Sequence, residues 1–428
     1  MKTEWKATSK ESEKGSVIFE SCDIEDYNKA SEEYNKLSKS QKAQYKGQQQ
    51  YIEKTLNVQF SEENLKYIRL MQEVELRMKN VKMPEILNID SILDRRTIRD
   101  LLSTLENEEY IKALYREKKL NVRDGLNTTE ATILLDCMRQ GRIMLDAGMN
   151  ADMLAKPLID FYAATAYAYP IIVMNSPMHK SIKTLKGSHG HTYNHEKSSI
   201  DFGGEIPNGT FLDMIGAFPV AHIHFENVKL NYPVVESINY IQNHSISLSL
   251  TTLLSMIPEL NSYYKRFDDK HNLVHKLNID AEVVNSKIIY NFYIGDGITK
   301  INKDRLKSSF NTDPVEDNIT NVVIKIEAEN LQNIMPIIYK DIKGSLWYVE
   351  SPIEGLYIPE ICLHFLIISA LCNIMRYSPN EWNGILNNKV SPAYSLLIRR
   401  YIELFETKFP MLVINHLTNY SLNISRLL

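Results

Sequence analysis

The sequence ICLHFLIISALCNIM at residues 361–375 is a long apolar run. It contains only two clearly polar residues, His364 and Asn373, and it is shorter than the roughly 18 residues that a membrane-spanning helix requires. A second apolar run at residues 161–174 is equally short and is interrupted by Pro170. Both runs therefore predict buried helices in the core of a soluble protein, and neither predicts a membrane span.

The segment RYSPNEW at residues 376–382 follows the first apolar run directly. Arg376 could clamp a carboxylate or phosphate of a ligand, and Trp382 could stack on a ring. The alternative is a packing role, with Trp382 as a buried anchor and Arg376 paired with a carboxylate such as that of Glu381. We favour packing, because a large aromatic side chain packs more often than it binds a ligand.

The spacing of apolar residues changes along the chain. Residues 287–294, 322–327 and 345–349 alternate between apolar and polar side chains, as half-buried antiparallel strands do. Helical spacing precedes them from Thr128 onward and is expected to return after Pro359 through to the end of the chain. The pattern predicts an α+β fold that is mainly α-helical, with a small antiparallel sheet inserted before the C-terminal helices.

The chain has 428 residues, which is too many for one ordinary hydrophobic core. We divide it into four regions by composition and periodicity. These are a helical N-terminal region at 1–120, a central helical core at 121–275, a small β-rich insertion at 276–350 and a C-terminal helical segment at 351–428. The last segment is expected to pack on the central core.

Composition excludes several classes of protein. The formal net charge of −4 offers no bulk attraction to nucleic acid, so such binding would need a local basic patch. The four cysteines are far apart and form no CxxC pair, and the N-terminus has no apolar signal region. We therefore expect a cytoplasmic protein. The sequence contains no phosphate-binding glycine loop, no Rossmann fingerprint and no G-x-S-x-G, and it identifies no cofactor.

Two groups of histidines are candidate metal ligands. His189, His191 and His195 lie in a glycine-containing loop, and His222 and His224 form a second pair two residues apart. Imidazole is a good ligand for zinc and similar metals, and in a strand the second pair would point to one face. The alternative is a polar loop and hydrogen-bonded core histidines, and this alternative is favoured because no HExxH accompanies the histidines.

Arg266 and His271 have the R-x4-H spacing of HEPN-type ribonucleases. In that chemistry the arginine would bind the scissile phosphate, and the histidine would act as general base toward the 2′-hydroxyl. About one arginine followed by a histidine at an R-x4-6-H spacing is expected by chance in a chain of this length. A solvated charged turn is therefore the favoured alternative.

Four segments resemble the YaaC-like family of uncharacterised bacterial proteins in order and spacing. They are AKPLIDFY at 155–162 with the following Gly190 loop, GTF at 209–211 leading to LSLTTLLSMIPEL at 248–260, LYIPE at 356–360 through RYSPNEW, and FPMLVINH at 409–416. Together they cover roughly residues 130–428, and the R-Y-x-P-x-x-W run is the most specific of them. The resemblance carries over no catalytic residue.

The resemblance implies a cytosolic bacterial protein that acts through protein partners, as a component of a phage-defence or stress operon. Homo-oligomerisation is one form that such partnership takes, and no membrane partner is expected. Two alternatives rest on residues: a metal-independent HEPN-type ribonuclease at Arg266 and His271, and a metal-dependent enzyme at the five histidines. The sequence does not decide whether the protein is an enzyme.

Overall fold

The computed structural model describes residues 24–56, 62–80, 82–90, 94–119, 125–177, 180–185, 187–226, 228–296, 299–318 and 320–425. Two compact units make up the chain, Met1–Leu76 and Arg77–Leu428. The predicted boundaries at residues 120, 275 and 350 all fall within the second unit. There, one continuous cluster of buried apolar residues extends from Ile89 to Ile424. The four-region division stays a prediction about composition.

The first unit is helical in its described part. Its helices are α1 (Ile24–Lys36), α2 (Lys39–Lys42), α3 (Gln48–Leu56) and α4 (Glu62–Asn80), of which α4 continues past residue 76. Helices α1 and α3 pack together, with the Tyr34 and Tyr51 ring centroids 5.5 Å apart. Gln48 Nε2 donates a hydrogen bond to Ser31 Oγ at 2.7 Å across the same interface.

Helices form most of the second unit. They are α5 (Asp94–Thr104), α6 (Glu108–Lys118), α7 (Thr128–Asn150), α8 (Lys156–Asn175), α9 (Thr210–Gly216), α10 (Val235–Asn243), α11 (Leu250–Ser255), α12 (Asn261–Phe267), α13 (Lys303–Phe310), α14 (Glu360–Tyr377), α15 (Pro379–Leu386) and α16 (Pro392–Leu417).

The strands of the second unit are β1 (Glu85–Asp90), β2 (His191–Asn194), β3 (Ser199–Phe202), β4 (Val220–Phe225), β5 (Val228–Pro233), β6 (Ile246–Ser249), β7 (Val274–Val284), β8 (Lys287–Gly295), β9 (Glu316–Asn318), β10 (Asn321–Glu327), β11 (Ile337–Lys340), β12 (Leu346–Val349) and β13 (Tyr420–Ser425).

The two apolar runs found in the sequence are the central helices α8 and α14, which pack on each other. Both are long and apolar enough to cross a membrane, but 72% and 78% of their most apolar windows are buried inside the protein. Such burial is typical of core helices in a soluble protein. Helix α16 also packs on α8 and α14, and it begins at Pro392 with the Ser391 side chain as its N-cap.

Helices α7 and α8 form the most extensive helix pair, because two glycines let them approach closely. A Cβ at Gly141 would lie 2.5 Å from Cε2 of Tyr167, and a Cβ at Gly148 would lie 2.2 Å from Oδ1 of Asp160. Burial, reinforced by the charge of Glu406, raises the pKa of the Asp160 carboxyl to about 8. Asp160 is therefore predominantly neutral at pH 7, which lowers the cost of burying it.

The predicted antiparallel sheet is confirmed. Strands β8, β10 and β12 coincide with the three alternating segments, and they belong to a six-stranded sheet of order β11-β12-β7-β8-β10-β9. All its neighbouring strands are antiparallel. The fold class, α+β and mainly helical with this sheet before the C-terminal helices, is confirmed as well.

The expectation of helix through to the C-terminus is wrong for residues 420–425. They form β13, which pairs in parallel with β1, so that Leu422 lies opposite Leu87 and Ile424 opposite Ile89. The physical reason is visible in the sequence YSLNIS, whose apolar residues alternate with polar ones as in a strand. The glycine-histidine loop likewise contains the hairpin β2–β3, which joins β6 in a three-stranded sheet.

Candidate functional site

The segment RYSPNEW joins α14 to α15. Pro379 occupies the first turn of α15, and Trp382 is only 1% exposed. The packing role predicted for Trp382 therefore agrees with its burial. The pairing predicted for Arg376 is wrong, because within the described residues no carboxylate lies within 4 Å of its guanidinium. The guanidinium instead lies over the Tyr377 ring, 4.8 Å from its centroid.

The histidine loop packs against this same segment and against α14. His191 Nε2 is 2.6 Å from Ser369 Oγ on α14, and His191 Nδ1 is 3.1 Å from the His189 carbonyl oxygen. Because a carbonyl only accepts, Nδ1 carries the proton and Nε2 accepts from the serine hydroxyl. Farther along the loop, His195 Nδ1 lies 3.1 Å from Ser378 Oγ. The histidine loop and the segment RYSPNEW, which are far apart in sequence, therefore lie in contact in the structure.

The Ser369–His191 pair has the arrangement of a hydroxyl held by a base that is itself oriented by a carbonyl. Ser369 is only 1% exposed, however, and the rings of Phe211 and Phe365 surround His191. Burial lowers the pKa of His191 to about 4, so the ring is neutral at pH 7. The pair therefore serves to hold the loop on α14, and no substrate can approach the hydroxyl.

The second group of predicted histidines lies elsewhere. His222 and His224 are on β4, and both line a cavity of about 370 Å³. His416, on the last turn of α16, lines the same cavity. The five histidines proposed as metal ligands are thus divided between two places. In the described part of the chain, no group of three or more His, Cys, Asp or Glu side chains is arranged to hold a metal ion. The metal hypothesis stays a prediction without geometric support.

Cationic side chains surround this cavity, which we call the cationic cavity. Its lining includes Arg77, Lys82, Lys118 and Lys340, together with apolar side chains such as those of Met174, Phe218 and Leu412. Two acidic residues also line it, and both are already paired. Glu117 is 2.7 Å from Lys82 Nζ, and Glu360 is 3.0 Å from the buried Lys408 Nζ. Among the described lining residues, cationic side chains therefore outnumber acidic ones.

Two lysines of the cavity have only neutral hydrogen-bond acceptors. Lys118 Nζ donates to the His416 carbonyl oxygen at 2.8 Å and lies 3.4 Å from Asn175 Oδ1. Lys340 Nζ donates to Ser421 Oγ at 3.0 Å. Among the residues that the structure describes, no carboxylate oxygen lies within 4 Å of either amine. Each ammonium group consequently lacks the counter-ion that a buried lysine usually has.

Burial and the neighbouring positive charges lower the pKa values of several side chains in the cavity. Burial, then the charge of Arg77, lowers the pKa of Lys118 to about 8, against a smaller opposing effect of Glu117. Burial and neighbouring cations lower the pKa of His222 to about 4. For His416 the same causes, with Lys118 the strongest cation, lower the pKa to about 3. At pH 7 the imidazoles are therefore neutral, whereas Lys118 is mostly charged.

The predicted ribonuclease pair lies outside this cavity. Arg266 is in the last turn of α12, and His271 is in a short 3₁₀ helix, and both residues are exposed. His271 Nδ1 is 2.6 Å from Asp268 Oδ2, as in a solvated charged turn. The ribonuclease hypothesis stays a prediction.

Sequence reasoning missed the basic residues of the cavity. Lys118 ends a charged helix, where a lysine is ordinarily a solvated cation, and His416 belongs to a segment noted only for its family resemblance. The two residues are 298 positions apart, yet they are hydrogen-bonded to each other. No local motif could signal this site, because its members come from many distant parts of the chain.

Comparison with known proteins gives a family but no individual relative. A model of the family described as YaaC-like Protein matches residues 101–417, which is most of the chain. The match begins earlier than the resemblance at roughly residue 130 that the sequence motifs indicate. Searches of curated proteins and of solved structures found no match. The match includes the histidine loop, the segment RYSPNEW, and Lys118 and His416 of the cationic cavity. By this match over most of its length, the chain belongs to the YaaC-like protein family.

Proposed function

We propose that this protein binds a small phosphate-bearing molecule in the cationic cavity. The observation that carries the proposal is the pair of lysines, Lys118 and Lys340, that line one cavity with no carboxylate within 4 Å among the described residues. A phosphate monoester carries nearly two negative charges at pH 7 and has three strong acceptor oxygens. Such a ligand supplies the counter-charge that the two lysines lack.

The rest of the lining suits a ligand that has a phosphate and an organic body. A volume of about 370 Å³ falls in the usual range of small-molecule sites. Neutral His222 and the asparagine side chains offer hydrogen bonds to hydroxyl or carbonyl groups. Phe218, Met174 and Leu412 offer apolar contact. We therefore expect a ligand with a charged phosphate group and a partly apolar body.

Titration with glycerol 3-phosphate tests the proposal. We expect saturable binding by isothermal titration calorimetry at fixed ionic strength, and none with glycerol. Replacing Lys118 or Lys340 by methionine is expected to weaken binding at least about tenfold, because each removes a charged hydrogen bond worth about 1.5–3 kcal/mol. Lys389→Met, which removes the same charge at an exposed site on the surface, should leave affinity unchanged. Absence of binding, or an equal loss in the Lys389 variant, would refute the proposal.

The affinity for glycerol 3-phosphate should fall as the pH rises above about 8. Burial and Arg77 depress the pKa of Lys118 to about 8, and a bound anion favours the protonated amine, so its pKa is higher in the complex. Binding above that pH then requires proton uptake, and affinity drops by up to about tenfold per pH unit. The ligand keeps its charge in this window because its second pKa is about 6. In Lys118→Met the fall should be clearly shallower. An unchanged slope would show that another group titrates.

The remaining functional expectations stay predictions. They are action through protein partners, homo-oligomerisation, a role in a phage-defence or stress operon and a cytoplasmic location. A phosphate-bearing ligand is compatible with each of them, because binding of a small ligand is a common way to control the association of proteins.

A further inference from the structure

We propose that Lys118 is a nucleophilic amine that forms a Schiff base with a phosphate-bearing aldehyde or ketone in the cationic cavity. This inference rests on the proposed function, which supplies the anchor for the phosphate group. It adds a reaction to the binding site and restricts the ligand class to carbonyl compounds.

The position of Lys118 is the first support. It lies in the last turn of α6 and reaches the cavity, where its Nζ contacts the His416 carbonyl oxygen and Asn175 Oδ1. Both partners are neutral acceptors, so neither holds the ammonium form as a carboxylate would. Lys82, which also lines the cavity, contrasts with it because its Nζ is 2.7 Å from a carboxylate oxygen of Glu117.

The reactivity of the amine follows from that position. Only a neutral amine attacks a carbonyl, and an unperturbed lysine at pH 7 is neutral in only a few molecules in ten thousand. With its pKa lowered to about 8 in the ligand-free protein, roughly one Lys118 amine in ten is neutral at pH 7. Desolvation and neighbouring cations are the means by which other Schiff-base lysines are activated.

Formation of the imine requires neither a cofactor nor an oxidant. The Nζ lone pair attacks the carbonyl carbon, the C=O π bond breaks, and a proton passes from nitrogen to oxygen to give a carbinolamine. Loss of the hydroxyl as water, with one proton taken up, gives the protonated imine. His222 lines the same cavity and feels the charge of Lys118. Its Nδ1 is 3.0 Å from Asn231 Oδ1, so its Nε2 is free to accept a proton and the neutral ring can relay these protons.

A second cavity lysine, Lys340, fits the role of phosphate anchor better. Its Nζ donates to Ser421 Oγ, and burial and Lys408 lower its pKa, but Asp341 opposes this shift. Its charge acts mainly on His224, whereas Lys118 acts on both His222 and His416. The two amines therefore have different roles: Lys340 only pairs with the phosphate, whereas Lys118 adds its charge to phosphate binding and its neutral fraction attacks the carbonyl.

Borohydride trapping tests this inference on the full-length protein. Glyceraldehyde 3-phosphate is incubated with the protein at pH 7.5 and reduced with sodium borohydride, which fixes an imine as a secondary amine. The expected product is one adduct per chain, with the mass of the aldehyde less one oxygen, and peptide mapping should place it on Lys118. Excess glycerol 3-phosphate, which has the same phosphate but no carbonyl, should suppress the adduct.

Two variants separate this reaction from simple binding. Lys118→Arg keeps the positive charge but has no nucleophilic amine, so it should bind glycerol 3-phosphate within about threefold of the wild type and give no adduct. Lys340→Arg should still be labelled on Lys118. An adduct spread over surface lysines or located on Lys340 would overturn the inference, as would labelling that persists in Lys118→Arg. Binding of glycerol 3-phosphate without any adduct would overturn the Schiff base and leave the proposed function standing.

Discussion

Replacement of Lys408 by methionine is expected to lower the free energy of unfolding by about 3–5 kcal/mol. Lys408 is the cation at the centre of a buried cluster, only 3% exposed, with Glu259 at 3.1 Å and Glu360 at 3.0 Å. Its Nζ also donates to the Lys340 carbonyl oxygen. The two carboxylates raise the pKa of Lys408 well above its usual range despite burial. Removal of the cation leaves two acidic groups facing each other without a counter-ion.

Guanidinium denaturation followed by circular dichroism and tryptophan fluorescence measures this loss. Burial and the charge of Glu259 already raise the pKa of Glu360 to about 7, with Lys408 opposing. Glu360→Gln in the Lys408→Met background should therefore recover part of the stability, because it removes the repulsion. Lys389→Met serves as the exposed control. If the double variant is as unstable as Lys408→Met alone, the loss comes from packing and the electrostatic explanation is wrong.

Truncation of Trp382 to alanine is expected to cost about 3–5 kcal/mol of stability. The side chain is 1% exposed and belongs to the continuous apolar core where α15 joins α14 and α16. Among the described residues its indole nitrogen has no hydrogen-bond partner, so the stabilisation that we expect comes from packing. Trp382→Phe should accordingly cost much less than Trp382→Ala, because it keeps a ring in the same space.

Two measurements distinguish packing from ligand binding at this residue. Tyr377→Ala, five residues away and 60% exposed in the wild type, should change the free energy of unfolding by about 1 kcal/mol or less. Trp382→Phe should bind glycerol 3-phosphate as the wild type does, because Trp382 does not line the cationic cavity. A Trp382→Phe variant of normal stability that fails to bind would instead restore the stacking role.

The fold class could be predicted from the sequence, because the spacing of apolar residues along a short segment distinguishes a helix from a strand. Residues 361–375 are almost entirely apolar, so their helix had to be buried, and it became α14. The alternation in residues 287–294 required one buried face, and it became β8. The strand at 420–425 was missed although its alternation is present, because a six-residue signal at the end of a long helix is weak until β1 provides its partner.

The candidate site was predictable only in part. His222 and His224 were recognised as a pair, and both line the cationic cavity, where His416 joins them. Arg376 and Glu381, close in sequence, do not pair, whereas His191 and Ser369, 178 positions apart, do. Sequence separation is therefore a poor guide to which side chains meet.

Local sequence patterns are enough to identify a mainly helical α+β protein of the YaaC-like family, with two buried helices at its centre. The position of Lys118, a partly buried amine without a carboxylate partner among the described residues, depends on how distant segments pack together. The reason is physical. Helix and strand depend on residues within a few positions, but the pKa of a side chain depends on the charges and the solvent around it, and packing alone brings these together.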